Sequence, residues 1–471
     1  MKKFFAILLA LTMVFAMTTT AFARVVQVTG EITVTGAVAG KSYDVYKIFD
    51  LTYQGEGDDI KVAYTIDSDW SAFFATDGDD YIATTNITGS LSQVVVDGAV
   101  KYINITDGNV AEFAQAALGY ASAKSPDKSA TCAAGETTVV IDGLDFGYYL
   151  VYPRGAVDIK EGYASICSLS STTPEAEVNV KATYPTLDKE VNDVSVEIGQ
   201  VLTYTLTSKV PDTTGFTTYG YTVHDKMDAG LTFGNDVAVT FGGDEIEVEP
   251  TYANNGFELT FDMTQYQDYV GQEIVITYTA KVNKDAVIDG NYNEAYLTYG
   301  NEPGEDTVKI KLPVYTCAIT VDKYDAKDES KKLLGAEFIL KSVDKDAYCA
   351  IDAATGEITW VAKDEATALT TDRNGAATFY GIEAGDYQLI EVKAPEGYNL
   401  LTDPIDVTVD NDEETDTIVA HQTAKVANNT GSILPGTGGI GTTIFYVSGA
   451  ALMLGAIILL VAKKKAAASE E

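Results

Sequence analysis

The chain has 471 residues, 69 of them acidic and 32 basic, with a formal net charge of −37, four cysteines and two histidines. That acidity excludes a nucleic-acid partner, because phosphate binding needs a cationic face, and two histidines exclude any site built from several imidazoles. The length allows about three domains at ~150 residues each, and 46% hydrophobic residues with 29 tyrosines describe a folded protein, not a disordered acidic chain.

The N-terminus reads as a secretory signal. Lys2 and Lys3 precede an apolar run from Phe4 to Ala16, and Ala21-Phe22-Ala23 offers a small-x-small site, so cleavage is expected after Ala23. Gly36 to Ser42 approaches a phosphate-binding loop but is one residue short and leads into a strand, so it reads as a turn. Asp77-Gly78-Asp79-Asp80 reads as a solvated loop in preference to a calcium site. No cofactor or metal is expected. The best helix is Ala111 to Ala123; otherwise short β-type runs with Gly, Asn and Asp punctuation dominate, such as Val201 to Thr207 and Glu273 to Thr279. The expected fold is all-β, with tandem immunoglobulin-like β-sandwich domains and a little helix in the first.

Pro185 and Pro313 each precede a new strand run, which gives domains at 24–184, 185–312 and 313–430. Gly143-x-x-x-Gly147-x-Tyr149-x-Val151 recurs as Gly381-x-x-x-Gly385-x-Tyr387-x-Leu389, although the two domains are not otherwise alike. Secretion places the cysteines in an oxidising compartment. Four cysteines allow three pairings, and their segregation by domain favours disulfides Cys132–Cys167 and Cys317–Cys349 over free buried thiols.

Strand parity then singles out ionisable residues on core faces. Lys189 shares its face with Leu187 and Val191, and Lys323 with Ile319 and Val321. Asp225 lies with Tyr221, Val223 and Met227, and Glu391 with Tyr387 and Leu389. Asn293 lies with Ala295, Leu297 and Tyr299, and Asn428 with Ala424 and Val426. Domains two and three thus each offer an inward Lys early, an inward acid in the middle and an inward Asn at the end. Burial lowers a lysine pKa and raises that of an acid. A neutral amine is a nucleophile, and a protonated carboxyl polarises an amide, so the set can react once to an amide crosslink with loss of ammonia. The alternative is an ordinary buried polar network. In the first domain Lys47 also points inward, with Tyr43, Val45 and Phe49, but no acid partner is evident and Pro153 stands where Glu391 would align, so no crosslink is expected there.

Near the C-terminus, Leu434-Pro435-Gly436-Thr437-Gly438 precedes an uncharged stretch from Ile440 to Ala462, long enough for a transmembrane helix, and then Lys463 to Lys465. The G-x-G-x-x-G match at Gly436 to Gly441 opens no βαβ unit and is set aside. Pentapeptide, apolar span and basic tail together resemble the cell-wall sorting signal of Gram-positive surface proteins. The resemblance implies that a membrane transpeptidase, sortase, cuts between Thr437 and Gly438 and holds the Thr437 carbonyl as an acyl-enzyme until an amine resolves it. Tyr387-x-Leu389-x-Glu391-x-x-Ala394-Pro395-x-Gly397-Tyr398 is similar to the E-box of Gram-positive pilins and collagen-adhesin B-type (SpaA-like) domains, and Val426-x-Asn428 and Asn293-x-Ala295 also fit. The chain therefore resembles a sortase-assembled major (backbone) pilin. This implies isopeptides Lys189–Asn293, promoted by Asp225, and Lys323–Asn428, promoted by Glu391. It also implies a pilin-specific sortase, other copies of the chain, minor pilins and, covalently, peptidoglycan as partners.

Such pilins usually carry the acceptor lysine in a Tyr-Pro-Lys motif, but here the sequence is Tyr184-Pro185-Thr186. Parity along Val178 to Ala182 turns Lys181 outward, which makes it the preferred acceptor, with Lys189 or another exposed lysine as alternatives. The expected function is a covalently polymerised, wall-anchored pilus shaft subunit. A wall-anchored adhesin or basal pilin is the competing reading. A secreted enzyme is disfavoured, since His224 beside Asp225 lacks a nucleophile motif. Without the signal and everything after Thr437, 27 basic and 67 acidic residues remain, a net charge of −40.

Overall fold

The computed structural model describes residues 29–430 and 447–458, except 55–60, 90, 107, 122–123, 158–164, 170–172, 181, 302–303, 308, 411–419, 455 and 457. The chain divides into two compact units. One comprises residues up to Val194, Gln200–Asp285 and Gly290–Val314; the other comprises Ser195–Gly199, Ala286–Asp289 and the chain from Tyr315. The fold is all-β, in pairs of packed sheets, with a small helix in the N-terminal sandwich.

In that first sandwich a three-stranded sheet runs in the order Glu175–Asn179, Thr29–Thr35, Thr138–Asp145. The first pair is parallel and the second antiparallel. The larger sheet centres on Ser42–Gln54, flanked by Gly147–Pro153 and Lys61–Ile66. The helix spans Val110–Ala121. Its Phe113, Ala114, Ala117, Leu118 and Ala121 recur at helical spacing and are buried with Trp70 and Phe73. Asp77, Asp79 and Asp80 are exposed around a single helical turn.

The middle sandwich packs a sheet ordered Asp188–Val191, Val201–Lys209, Glu273–Val282, Ala238–Phe241 against one ordered Gly256–Asp262, Gly220–Met227, Asn291–Tyr299. Strict alternation along Glu273–Val282 puts Ile274, Ile276, Tyr278, Ala280 and Val282 into the core. Pro313 lies inside a further strand, Ile310–Val314, which pairs with Asn291–Tyr299. The step from one compact unit to the other falls at Val314–Tyr315.

In the third sandwich Cys317–Asp325 lies between Ala376–Ile382, antiparallel, and His421–Asn428, parallel. The facing sheet is ordered Ile358–Val361, Ala347–Ile351, Glu337–Ser342, Gly385–Lys393, Ile405–Val409. The central strands follow the order and pairing of the first sandwich, although Asp328–Lys332, paired with Cys317–Asp325, has no counterpart there among the described residues. Gly143 and Gly381 both have positive φ (62° and 79°). The Tyr149 hydroxyl donates to the Asp145 carbonyl at 2.6 Å, and the Tyr387 hydroxyl to that of Glu383 at 2.9 Å. The short sequence repeat is thus the visible part of a whole-domain equivalence.

Three sequence expectations need correction. Cys132 is a buried free thiol, its backbone N–H bonded to the Lys41 carbonyl. Cys167 pairs with Tyr149, which pairs with Lys47. Six residues of strand separate Lys41 from Lys47, about 20 Å at ~3.3 Å per residue, against the roughly 4.4–6.8 Å between Cα atoms that a disulfide needs. Cys317 and Cys349 are likewise buried free thiols. They sit in opposite sheets, typically ~10 Å apart, and pack as apolar groups in one core. Burial pushes both thiols up to about 12. Lys47 does not share a face with Phe49, because the register shifts between them. The β-bulge after Lys47 turns Phe49 into a different core cluster, while Lys47 stays in register with Tyr43 and Val45, and its ammonium pairs with Asp50 at 2.7 Å.

The first sandwich instead buries Asp44, held by Arg154 through Nε at 2.9 Å and Nη2 at 2.6 Å, with the Ser129 hydroxyl also donating to it. Removing one partner of a buried pair strands the other charge. Arg154→Met should therefore lower unfolding stability by about 3 kcal/mol, read as a shift of the corresponding transition in calorimetry. Asp44→Asn/Arg154→Met together should cost less than Arg154→Met alone.

Candidate functional site

Two clusters bring the inward lysines, acids and asparagines together. In the middle sandwich Lys189 projects from the short strand Asp188–Val191 at one edge of its sheet. Asp225 and Asn293 project from adjacent strands of the opposite sheet, where the register sets Asp225 beside Ala295 and Met227 beside Asn293. The side chains of Lys189 and Asp225 are fully buried, and Asn293 is 0% exposed. Lys189 Nζ donates to Asp225 Oδ2 at 2.6 Å. Burial drives the lysine down to about 8, against the opposing pull of the Asp225 charge. The same burial raises the Asp225 carboxyl, against the opposing pull of Lys189, Tyr278 and Asn293. Both shifts favour the neutral pair, amine beside carboxylic acid.

Tyr278, from the lysine's own sheet, was not among the expected site residues. Its hydroxyl donates to Asp225 Oδ2 at 2.5 Å and accepts from Asn293 Nδ2 at 3.2 Å. Its inward parity along Glu273–Val282 was legible, but the sequence does not distinguish it from an ordinary core tyrosine.

In the third sandwich Lys323 and Asn428 lie on neighbouring parallel strands, with Lys323 opposite Val426 and Asp325 opposite Asn428. Glu391 comes from the facing sheet. All three are buried. Lys323 Nζ donates to Asn428 Oδ1 and to the Val426 carbonyl at 3.2 Å, and lies 3.5 Å from Glu391 Oε1. Asn428 Nδ2 faces both Glu391 oxygens at 3.0 Å and donates to the Asn399 carbonyl at 2.9 Å. The Leu401 N–H fixes Glu391 Oε2 at 2.8 Å. Burial lowers the Lys323 amine to about 8, with the Glu391 charge opposing.

The equivalent place in the first sandwich has none of these groups. Val34 pairs with Val139 and Val178 as Val321 pairs with Ala377 and Ala424. Continuing each register sets Gly36 at the place of Lys323 and Ala182 at that of Asn428, while Pro153 takes that of Glu391. Gly36 has φ 73°, and a Cβ there would lie 2.6 Å from the Val180 carbonyl oxygen, so the position admits no side chain without strain.

Residues 317–424 match the family model described as the SpaA prealbumin-like fold domain. This segment is a SpaA prealbumin-like domain. The trypsin-resistant surface T6 protein of Streptococcus pyogenes serotype M6 is 29% identical to the chain over 243 residues, which are 46% of this chain and 43% of that protein. The chain thus spans less than half the length of that relative. Among solved structures, the major pilin SpaA of Corynebacterium diphtheriae matches with a TM-score of 0.51 and 17% identity, over 85% of this chain and 100% of that one. The T6 backbone pilin of Streptococcus pyogenes matches with a TM-score of 0.50 and 20% identity, over 80% and 79%. The fold is that of these major pilins.

The signal segment 1–23, Lys181 and Leu434 to Gly438 lie outside the described residues, as does most of 440–462. Residues 447–454 are helical. Among the described residues no helix is long and apolar enough to cross a membrane. His224 stacks on Tyr296 with centroids 4.4 Å apart and bonds Thr298 at 3.1 Å.

The lowered Lys323 amine has a consequence for stability when no bond can form. In Asn428→Ala the folded lysine releases its proton near pH 8, and the unfolded one near ~10.4. Between these values the unfolded chain binds the extra proton, so stability rises with pH. The urea midpoint of Asn428→Ala should increase from pH 8 to 9.5 relative to Lys323→Met/Asn428→Ala, which lacks the titrating group. Parallel midpoints would show that the lysine is not desolvated.

Proposed function

We propose that the chain is the shaft subunit of a covalently polymerised, wall-anchored pilus, hardened by two self-formed Lys–Asn isopeptide bonds. The observation that carries this reading is the pair of buried Lys–acid–Asn clusters in consecutive sandwiches of a major-pilin fold. The chemistry is the same in each. The neutral lysine Nζ attacks Cγ of the asparagine, the Cγ–Nδ2 bond breaks, and Nδ2 leaves as ammonia after gaining one proton. Nζ loses one proton, so the acid ends as it began. Glu391 faces Nδ2 of Asn428 and is placed to hand that proton over. Each domain reacts once, so the protein is a structural subunit and not a turnover enzyme.

Assembly rests on the sorting signal. A pilin-specific sortase cleaves after Thr437, and a lysine of the next subunit resolves the acyl-enzyme, joining subunits head to tail. Lys181 is the proposed acceptor, since Lys189 is committed to the core. Minor pilins and peptidoglycan complete the covalent chain of attachment, with the apolar segment a temporary tether at the membrane.

Two measurements test this. The intact mass of the recombinant chain should fall short of the sequence mass by two ammonia losses, ~17 Da each. Peptide mapping should place them at Lys189–Asn293 and Lys323–Asn428, and the full sequence mass would reject both bonds. A boiled denaturing gel of wall extract should show a ladder of multimers that collapses in Lys181→Ala. A single band at monomer size would mark a wall-anchored adhesin or basal subunit instead, and an unchanged ladder would move the acceptor elsewhere.

A further inference from the structure

The two clusters solve the proton problem differently. In the third sandwich the acid reaches the departing nitrogen directly. In the middle sandwich Lys189 and Tyr278 share Oδ2 of Asp225, and the other carboxylate oxygen, Oδ1, has no hydrogen-bond partner among the described residues. Asn293 Nδ2 donates to the Tyr278 hydroxyl at 3.2 Å, and the Asn293 amide also acts on the Asp225 carboxyl. Resting on the proposed Lys189–Asn293 bond, we infer that Tyr278 is a catalytic proton relay: its hydroxyl passes the Asp225 proton to the departing nitrogen of Asn293.

The steps balance. Neutral Lys189 Nζ adds to Cγ of Asn293. In the tetrahedral adduct Nδ2 carries a lone pair, so the Tyr278 hydroxyl turns from donating to Asp225 to donating to Nδ2; the Asp225 carboxyl proton then moves to the Tyr278 oxygen as the Tyr278 proton moves to Nδ2, which departs as ammonia. The proton released by Nζ, already 2.6 Å from Asp225 Oδ2, restores the carboxylic acid. Tyr278 ends unchanged. The ring is held for this task. It stacks on Tyr204 with centroids 5.6 Å apart and an interplanar angle of 13°, and meets Phe257 edge-on at 5.0 Å and Phe233 at 5.9 Å. These contacts hold the Tyr278 oxygen between acid and amide, within hydrogen-bond reach of both.

Tyr278→Phe keeps the ring and deletes the relay. Tyr204→Phe deletes an equally buried hydroxyl that has no hydrogen-bond partner among the described residues. Each full-length chain is made by cell-free translation, and the ammonia loss at each lysine–asparagine pair is followed over time by mass spectrometry of digests. Positioned acid–base groups contribute typically ~10²–10⁴-fold. Tyr278→Phe is therefore expected to slow the Lys189–Asn293 bond at least tenfold, while Lys323–Asn428 forms at the normal rate and reports that the chain has folded. Tyr204→Phe is expected to match the unmodified chain at both pairs. An undiminished rate in Tyr278→Phe overturns the relay. Equal slowing in both variants also overturns it, because the hydroxyls then matter only for packing. Absence of the Lys189–Asn293 bond in the unmodified chain is a different result, which removes the underlying crosslink itself and the relay with it.

Discussion

An ammonium group inside a protein core is the constraint on which this structure turns. Taking such a charge out of water costs several kcal/mol even after relaxation, and Lys189 and Lys323 are both out of water. Each core must therefore either pair the charge or remove it. Here both happen: an acid stands within contact of each amine, and desolvation draws the amine down to about 8. Near neutrality a lysine so placed is within reach of its neutral, nucleophilic form. The third polar group of each cluster is an amide, so the acid and the electrophile face the amine in a site without bulk water. In the middle cluster burial also raises the Asp225 carboxyl, so that pair is drawn toward its neutral form.

The two clusters meet the same constraint with different scaffolding. In the middle sandwich the lysine comes from one sheet and the acid and asparagine from the other, so the proposed bond staples the sheets face to face. Such a site lies across the thickness of the core, and a tyrosine from the lysine's sheet bonds both the acid and the amide. In the third sandwich lysine and asparagine are neighbours on parallel strands, and the bond would tie the first strand to the last within one sheet. There the acid reaches in from the facing sheet and touches the amide directly.

The residues that parity could reach were legible because strands with one buried face alternate without error. Lys189, Asp225, Asn293, Lys323, Glu391 and Asn428 all follow a regular period of two, and all are buried. Phe49 failed the same test for a physical reason: a bulge between Lys47 and Phe49 inserts a residue and reverses the assignments that follow it, so Lys47 stays with Tyr43 and Val45 and Phe49 does not. Tyr278 obeyed the parity but carried no mark, since a tyrosine in a core is common and its hydroxyl partner is fixed by tertiary contact alone. The equivalence of first and third sandwiches was hidden for another reason. The first carries a long excursion between Ser42–Gln54 and Thr138–Asp145, including its helix, and in it the three reacting residues are replaced. The disulfides failed because counting by domain ignores where strands place their ends.

The loss of the reacting set from the first sandwich makes sense when the path of force along a shaft is traced through the sequence. On the proposed connectivity, tension enters a subunit at Lys181 and leaves at Thr437. Everything before residue 181, which is nearly all of the first sandwich, lies outside that path and carries no axial load. The two downstream sandwiches lie within it. A bond from Lys189 to Asn293 lets tension pass from the opening strand of the middle sandwich to a late one, bypassing the strands between. A bond from Lys323 to Asn428 does the same for the third. Noncovalent sandwiches hold by roughly 5–15 kcal/mol, and sustained pulling on such a domain works against its unfolding rate. Covalent bonds are therefore needed only where force is transmitted. The first sandwich keeps the connectivity of the third but places Gly36, Pro153 and Ala182 at the reacting positions, and relies instead on an aromatic core and the buried Asp44–Arg154 pair. The placement of the two buried lysines along the chain is thus the one expected of a load path that begins at residue 181, if the proposed bonds form.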